Sequence, residues 1–225
     1  MRWLILLFLV SCASAPRQRV LWIGAHPDDE IFAAPLLYDL CVTGNASCRW
    51  IVLTRGERGS CHDPAGCGDL VATRIDEVRR SAAMLHATVE QWALDDSSAS
   101  DPQTVLRRWN APIARLRAEL EQADVILTFD PEHGTTMHPD HRAAALLVAP
   151  ATNRRIYTIR NRARIERDGA EIVFEPSPPA SPNALVSKPS SWFVVRKVAE
   201  VHRSQFDARA IARLPAEGTV VASQR

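Results

Sequence analysis

The stretch VLWIGAHPDDE occupies residues 20–30 and joins a six-residue apolar run to a histidine and three acids. An apolar run of this length is typical of a strand buried on both faces of a sheet. Pro27 favours the first turn of a helix, so the charged residues follow the strand directly. In an open parallel sheet, side chains at this point lie at the edge where ligands bind.

A second motif of the same kind, MHPDH at residues 137–141, follows an apolar run at 125–129. Each motif holds two potential metal ligands three residues apart, with a proline between them. His26 and Asp29 form the first pair, and His138 and His141 form the second. Because residues three apart in a helical turn face one point, two strand ends could assemble one metal centre across the crevice between them.

Two imidazoles and one carboxylate, with an open position for water, suit catalytic zinc. The same ligand set suits non-haem iron, so ligand type leaves Fe2+ open as the metal. Asp28 favours hydrolysis, because an acid beside ligand Asp29 is free to take a proton from the attacking water. His62, His86 and His133 lack such a motif and are interpreted as surface or loop residues.

Apolar runs alternate with amphipathic segments, which predicts an α/β fold with a mainly parallel sheet. Strands are expected at 20–25, 50–54, 89–94 and 125–129, and helices at 31–40, 70–86, 102–120, 139–148 and 192–206. Loops are expected at 55–69 and 176–191. One domain is expected over residues 16–225.

The first 15 residues form a separate segment in which Arg2 precedes an apolar run and then small residues. This layout is typical of an export signal, and the run is shorter than the roughly 20 residues that span a bilayer. The stretch LVSC, ending at Cys12, resembles a bacterial lipobox and predicts lipidation of Cys12 as the mature N-terminus. The alternative is ordinary cleavage after residue 15. The protein is expected to be exported, as a periplasm-facing lipoprotein of the cell envelope or in secreted form.

Four further cysteines are an even number, which suits disulfides in an oxidising compartment. Local pairing of Cys41 with Cys48 and of Cys61 with Cys67 is predicted, because each pair brackets a short turn-rich stretch. The alternative is a small metal site formed by Cys61, His62 and Cys67.

Net charge and missing motifs exclude several function classes. The formal net charge of +1 offers no electrostatic footprint for nucleic acid, so no nucleic-acid partner is expected. No G-x-G-x-x-G follows the first strand, so nothing indicates a dinucleotide. The absence of G-x-S-x-G argues against a serine hydrolase.

The AHPDDE and HPDH motifs resemble those of the PIG-L/LmbE-like family of zinc-dependent N-acetylglucosaminyl deacetylases. Weaker motifs continue the resemblance in the family's order, over TRGE at 54–57, RIDE at 74–77, LDD at 94–96, TFDP at 128–131, Lys197 and HRSQ at 202–205. The resemblance spans residues 20–206 and implies a Rossmann-like three-layer fold. It also implies hydrolysis of the N-acetyl amide of a sugar or glycoconjugate, with release of acetate.

The resemblance assigns the metal site residue by residue. It implies that His26, Asp29 and His141 bind zinc and that Asp28 is the general base.

Four further residues match family positions around the reacting amide. The resemblance implies that His138 stabilises the tetrahedral oxyanion, with Asp140 orienting or charging it. Arg74 and Asp96 are expected to contact the sugar or its aglycone.

Three other functions stay open at this point. The enzyme could act on a different amide, such as an acylated metabolite or thiol conjugate. A metal-containing binding lipoprotein without turnover is a second reading, against which Asp28 argues. An iron oxygenase is disfavoured by the α/β pattern. Membrane contact is expected only through the N-terminal lipid, and the sequence does not define the oligomeric state.

Overall fold

A computed structural model of the chain describes residues 16–96, 99–166 and 171–225. The expected export signal and Cys12 lie outside these residues. Within the described part of the chain, no helix is long and apolar enough to cross a membrane.

The fold is built on a mostly parallel sheet of seven strands, and the four strands predicted from sequence are confirmed. The described residues form nine strands, seven in this sheet and two in a separate pair. They are β1 (Arg19–Gly24), β2 (Ser47–Thr54), β3 (Ala87–Leu94), β4 (Val125–Phe129), β5 (Ile156–Ile159), β6 (Ala163–Glu166), β7 (Glu171–Phe174), β8 (Leu185–Val186) and β9 (Val221–Gln224). The large sheet has the order β3-β2-β1-β4-β5-β9-β8, in which β1 to β5 are parallel. β9 pairs antiparallel with β5, and β8 pairs antiparallel with β9 at the edge. β6 and β7 form a separate hairpin.

Helices cover both faces of the sheet. They are α1 (Ala34–Leu37), α2 (Leu70–Met84), α3 (Pro102–Arg108), α4 (Ile113–Gln122), α5 (Pro139–Val148), α6 (Phe193–Val201) and α7 (Ala208–Arg213). α1, α2 and α7 pack with α6, whereas α3 packs with α5. Because strand order runs one way from β1 to β3 and the other way from β4 to β5, right-handed crossovers place these groups on opposite faces. The predicted α/β fold is confirmed.

The core is densest around β1 and β4, which lie side by side at the centre of the sheet. Every residue of β4 and all but the first of β1 are buried, as expected for strands covered on both faces. The rings of Trp22 and Phe129 pack edge to face with centroids 5.4 Å apart. Since β1 and β4 are parallel neighbours and strand order reverses between them, a crevice opens at their carboxyl ends.

The helices predicted at 31–40 and 102–120 differ in the structure, each for a local reason. The segment expected at 31–40 begins instead with a tight 3-10 turn over Asp29–Phe32 and ends in a π-helical turn over Tyr38–Thr43. Asp29 tightens the first turn by accepting hydrogen bonds from the preceding backbone. The helix expected at 102–120 is broken before Pro112, which has no N–H to continue the ladder, and α4 begins after it.

Most of the unpredicted elements follow residue 150. β5, the hairpin, β8 and β9 lie there, and β8 falls inside the segment expected to be a loop. The helix expected at 192–206 ends at Val201, because His202 leaves helical geometry.

Both local disulfides are present. Cys41 pairs with Cys48 across a Cα–Cα distance of 5.8 Å, and Cys61 pairs with Cys67 across 5.9 Å. Because both sulfurs of the second pair are engaged, Cys61 and Cys67 do not form the alternative metal site with His62. The second disulfide closes the loop between β2 and α2.

Candidate active site

Three of the predicted ligands converge where β1 and β4 end. Asp29 Oδ1 lies 3.0 Å from His141 Nε2 and 3.7 Å from His26 Nδ1, and the two ring nitrogens are 3.3 Å apart. Zinc–ligand bonds of about 2.0–2.2 Å in a tetrahedron place ligand atoms about 3.3–3.6 Å from one another. The three distances, of 3.0, 3.3 and 3.7 Å, lie close to this range, so the three atoms could bind one ion of the size of zinc after small shifts.

Hydrogen bonds on the far side of each ring orient these nitrogens. His141 Nδ1 lies 2.8 Å from the carbonyl oxygen of Gly134 and donates to it, which leaves the Nε2 lone pair facing the cluster. His26 Nε2 lies 3.3 Å from Asp140 Oδ2 and 3.5 Å from Asp96 Oδ1, so its proton is held there and Nδ1 faces the cluster. Such outer partners are typical of metal-binding histidines.

Asp29 is held in place by the backbone of its own turn. Its Oδ2 accepts hydrogen bonds from the N–H groups of Ala25 at 2.6 Å and His26 at 2.7 Å, which leaves Oδ1 for the cluster. Burial acts to raise the pKa of Asp29, yet His141 and His26 hold that pKa well below its usual range.

The charge around His26 favours a cation at the cluster. Burial acts to lower the pKa of His26, but Asp29, Asp140 and Asp96 together raise it well above its ordinary value. Three buried carboxylates beside one imidazole thus stabilise positive charge at this point. Together with the donor atoms and their spacing, this shows that the residues fit a divalent metal.

Asp28 lies beside the cluster and is held by Arg74 of α2. Its Oδ1 is 3.0 Å from Arg74 Nη2. The buried guanidinium also donates to the carbonyl oxygens of Gly56 at 2.9 Å and Pro27 at 3.4 Å. A Cβ at Gly56 would collide with that guanidinium, and Gly56 has a φ of +65°. Arg74, expected to contact substrate, therefore has Asp28 as its ion-pair partner.

Burial raises the pKa of Asp28 above its ordinary value, opposed by Arg74 and reinforced by Asp29. A raised pKa lies closer to neutral pH, which makes the Asp28 carboxylate a stronger base.

His138 is neutral, and the expected partner Asp140 contacts it through the backbone. It caps α5, with Nδ1 accepting the backbone N–H of Asp140 at 3.2 Å, so the proton lies on Nε2. Burial, followed by His26 and His141, lowers the pKa of His138 to about 2. The carboxylate of Asp140 lies 3.3 Å from His26 Nε2. Asp140 thus orients His138 through its backbone N–H, while its carboxylate contacts a predicted metal ligand.

A cavity of about 370 Å³ opens onto these residues. Asp28, Asp29, His26, His138 and His141 line its floor together with Arg74 and Asp96. Its walls come from three segments, which contribute Arg58 and Gly59 from the β2–α2 loop, Ile165 and Ile172 from the hairpin, and Gln205 and Phe206 after α6.

Sequence reasoning missed these wall residues. Arg58 directly follows the TRGE motif and Gln205 ends HRSQ, so both had a signal in the sequence. The hairpin residues had none, because neither of its strands was predicted. Arg55, which belongs to the TRGE motif, lies outside the cavity and pairs with Glu57 at 3.8 Å.

A buried ionic cluster lies behind the site and joins three elements. His202 Nε2 is 2.6 Å from Glu30 Oε1, and His202 Nδ1 is 3.8 Å from Glu77 Oε2. Glu77 also accepts hydrogen bonds from the backbone N–H and hydroxyl of Ser204 at 2.8 and 2.5 Å. Burial acts to lower the pKa of His202, but Glu30, Glu77 and then Asp28 raise it to about 9.

Comparison with solved structures supports the fold assignment. N,N'-diacetylchitobiose deacetylase from Pyrococcus horikoshii is similar with a TM-score of 0.61 and 20% identity, over 87% of this chain and 73% of that one. A deacetylase of teicoplanin biosynthesis is similar with a TM-score of 0.53 and 17% identity, over 92% and 99%. The 4-carboxy-2-hydroxymuconate hydratase of Pseudomonas putida has a TM-score of 0.59 and 15% identity, over 92% and 95%.

At these identities the similarity concerns the fold alone. No curated protein matches the chain in sequence. Residues 21–152 match the PIG-L family, described as GlcNAc-PI de-N-acetylase. This match contains both histidine-aspartate motifs and covers more than half of the sequence, and the chain therefore belongs to the PIG-L family.

Proposed function

We propose that this protein is a zinc-dependent N-deacetylase that hydrolyses the N-acetyl amide of an N-acetylglucosamine-type sugar. The observation that carries the proposal is the cluster of His26 Nδ1, Asp29 Oδ1 and His141 Nε2, with the separate carboxylate of Asp28 beside it in the same cavity. The family description and the deacetylases among the similar structures support it.

His26, Asp29 and His141 would hold the metal, which supplies Lewis acidity for the amide carbonyl and lowers the pKa of water. Asp28 would accept a proton from the attacking water, held in orientation by Arg74. The same carboxylate can pass that proton to the amine as the C–N bond breaks, so that acetate and a free amine leave.

His138 would supply the second stabilising group for the oxyanion. Its proton lies on Nε2, because Nδ1 accepts a backbone N–H. A neutral N–H donor needs no proton transfer to act at this point, and removing one such donor typically costs about 10²–10³ in rate.

The fold by itself does not select the reaction, since a hydratase shares it. Asp28 argues against a metal-binding protein without turnover, because a half-buried carboxylate beside the predicted ligands has a use in proton transfer. A different amide and Fe2+ in place of zinc are the alternatives that the experiment must separate.

Acetate release tests the proposal directly. The purified protein should be incubated with free, polymeric and lipid-linked N-acetylglucosamine conjugates and with acylated metabolites and thiol conjugates, and its metal content should be measured. We expect acetate from a sugar conjugate, loss of activity with chelator, and recovery with zinc. Activity that survives complete metal removal, or acetate only from the non-sugar amides, would contradict the proposal.

A further inference from the structure

We infer that Arg58 makes this enzyme selective for sugar amides that carry an anionic substituent, a phosphate or a carboxylate. The inference rests on the proposed function and adds a substrate class to it. Arg58 lines the same cavity as the ligand cluster, on the wall formed by the β2–α2 loop.

The backbone and side chain of Arg58 are anchored at the edge of the site. Its N–H donates to Asp96 Oδ2 at 2.9 Å, and its Nε donates to the Asp96 carbonyl oxygen at 2.5 Å. Asp96 itself lies 3.5 Å from His26. Arg58 is thus two contacts away from a metal ligand and is oriented before substrate arrives.

The loop that carries Arg58 is also held in place. The N–H of Gly59 donates to the carbonyl oxygen of Gly56 at 3.1 Å, and the Cys61–Cys67 disulfide closes the following segment. His62 N–H donates to the carbonyl oxygen of Ser204 at 2.7 Å. An arginine on a fixed loop loses less conformational entropy on binding than one on a mobile loop.

The charge of Arg58 is available to a ligand. Among residues 16–96, 99–166 and 171–225, no carboxylate lies within ion-pair distance of its guanidinium. Arg74, the other arginine of the cavity, is paired with Asp28. Arg58 is an exposed residue, and in the part of the chain that the structure describes no group accepts a hydrogen bond from its Nη donors. These donors suit the planar, bidentate geometry that arginine offers to phosphate and carboxylate.

Matched substrates test this inference. Acetate release should be measured with N-acetylglucosamine, N-acetylglucosamine 1-phosphate and N-acetylmuramic acid, the last two supplying a phosphate and a carboxylate. We expect kcat/KM for at least one anionic sugar to exceed that for the neutral sugar by about tenfold or more, as a charge-assisted hydrogen bond allows. The anionic sugar with the higher kcat/KM shows whether the enzyme prefers a phosphate or a carboxylate.

Two variants locate the effect. Arg58→Gln should bring the anionic-to-neutral ratio of kcat/KM close to one, and Arg58→Lys should retain part of it. Arg55→Gln is the matched control, because Arg55 lies in the same loop but outside the cavity and should keep the wild-type ratio. An unchanged ratio in Arg58→Gln, or an equal loss in Arg55→Gln, would overturn the inference.

A binding measurement separates this inference from the proposed activity. Calorimetry on chelator-treated protein should show glucosamine 1-phosphate binding about tenfold or more tightly than glucosamine, with the difference lost in Arg58→Gln. If no sugar releases acetate, the proposed function fails while calorimetry still decides the role of Arg58. If the neutral sugar is hydrolysed and neither anionic sugar is preferred, only this inference fails.

Discussion

The carboxylates of the adjacent residues Asp28 and Asp29 contact different groups in the candidate site. Asp29 is saturated on one oxygen by two backbone N–H groups and turns the other toward both histidines. Asp28 lies beside that cluster and meets the guanidinium of Arg74. This difference supports the proposed roles, in which Asp29 holds the metal and Asp28 accepts a proton.

Alanine substitutions should separate these two roles. Asp29→Ala should abolish or greatly weaken metal binding, because it removes one of three ligand atoms, and activity should fall with it. Asp28→Ala should keep metal occupancy close to that of the wild type and lower kcat by about 10²–10⁴-fold, the usual contribution of general-base catalysis.

Elemental analysis and turnover must be measured on the same preparations, after circular dichroism shows that each variant is folded. Equal metal loss in both variants would contradict the division of roles. Full activity of Asp28→Ala with normal metal content would remove the base from the mechanism.

At the scale of secondary structure, the buried pair of His202 and Glu30 joins separate elements behind the site. His202 follows α6, Glu30 lies in the turn that carries Asp28 and Asp29, and Glu77 belongs to α2. The cluster therefore connects the turn that carries Asp28 and Asp29 to α2 and to the end of α6, which are distant in the chain.

This cluster predicts that stability falls at alkaline pH. The pKa of His202 rises from an ordinary 6.5 to about 9 in the folded protein. A raised pKa means that the stabilisation is fully present below about pH 6.5 and is lost as pH passes through 9. A shift of this size corresponds to about 3 kcal/mol in the free energy of unfolding.

Urea unfolding from pH 6 to 10 and NMR titration of the His202 ring measure this effect. Glu30→Gln should bring the titration midpoint down and flatten the loss of stability above pH 7, since it removes the charge that contributes most to raising the pKa. A wild-type midpoint near 6.5 would show that the cluster does not hold a charged imidazole.

For the whole molecule, we propose export to the cell envelope with Cys12 as a lipidated N-terminus. The proposal is supported by the short apolar run and the lipobox-like LVSC at residues 9–12. Two disulfides among the described residues are in keeping with an oxidising compartment. Mass spectrometry of protein from a bacterial host should find a lipid-modified chain that begins at Cys12. A chain that begins at Met1, or an unmodified chain that begins at Pro16, would contradict lipidation.

Periodicity and local motifs in the sequence were enough to predict the fold class and the four strands β1 to β4. Buried parallel strands are continuous apolar runs, and such runs can be recognised without tertiary information. The histidine-aspartate motifs were recognisable for the same reason, since each is short and directly follows a strand. The hairpin at 163–174 was missed because its strands are only four residues long and three residues of Ala163–Glu166 are exposed.

The sequence by itself determined which residues belong to the metal motifs, because strand, turn and helix preferences act over a few neighbouring positions. Only the tertiary structure decided what those residues contact. Arg74 meets Asp28, Asp140 supports His26, and Arg58 reaches the cavity, across separations of 38 to 114 residues in the contacts concerned. Contacts between residues so far apart in sequence depend on the order of the strands in the sheet and on which buried groups need a neutralising partner. The local sequence specifies neither.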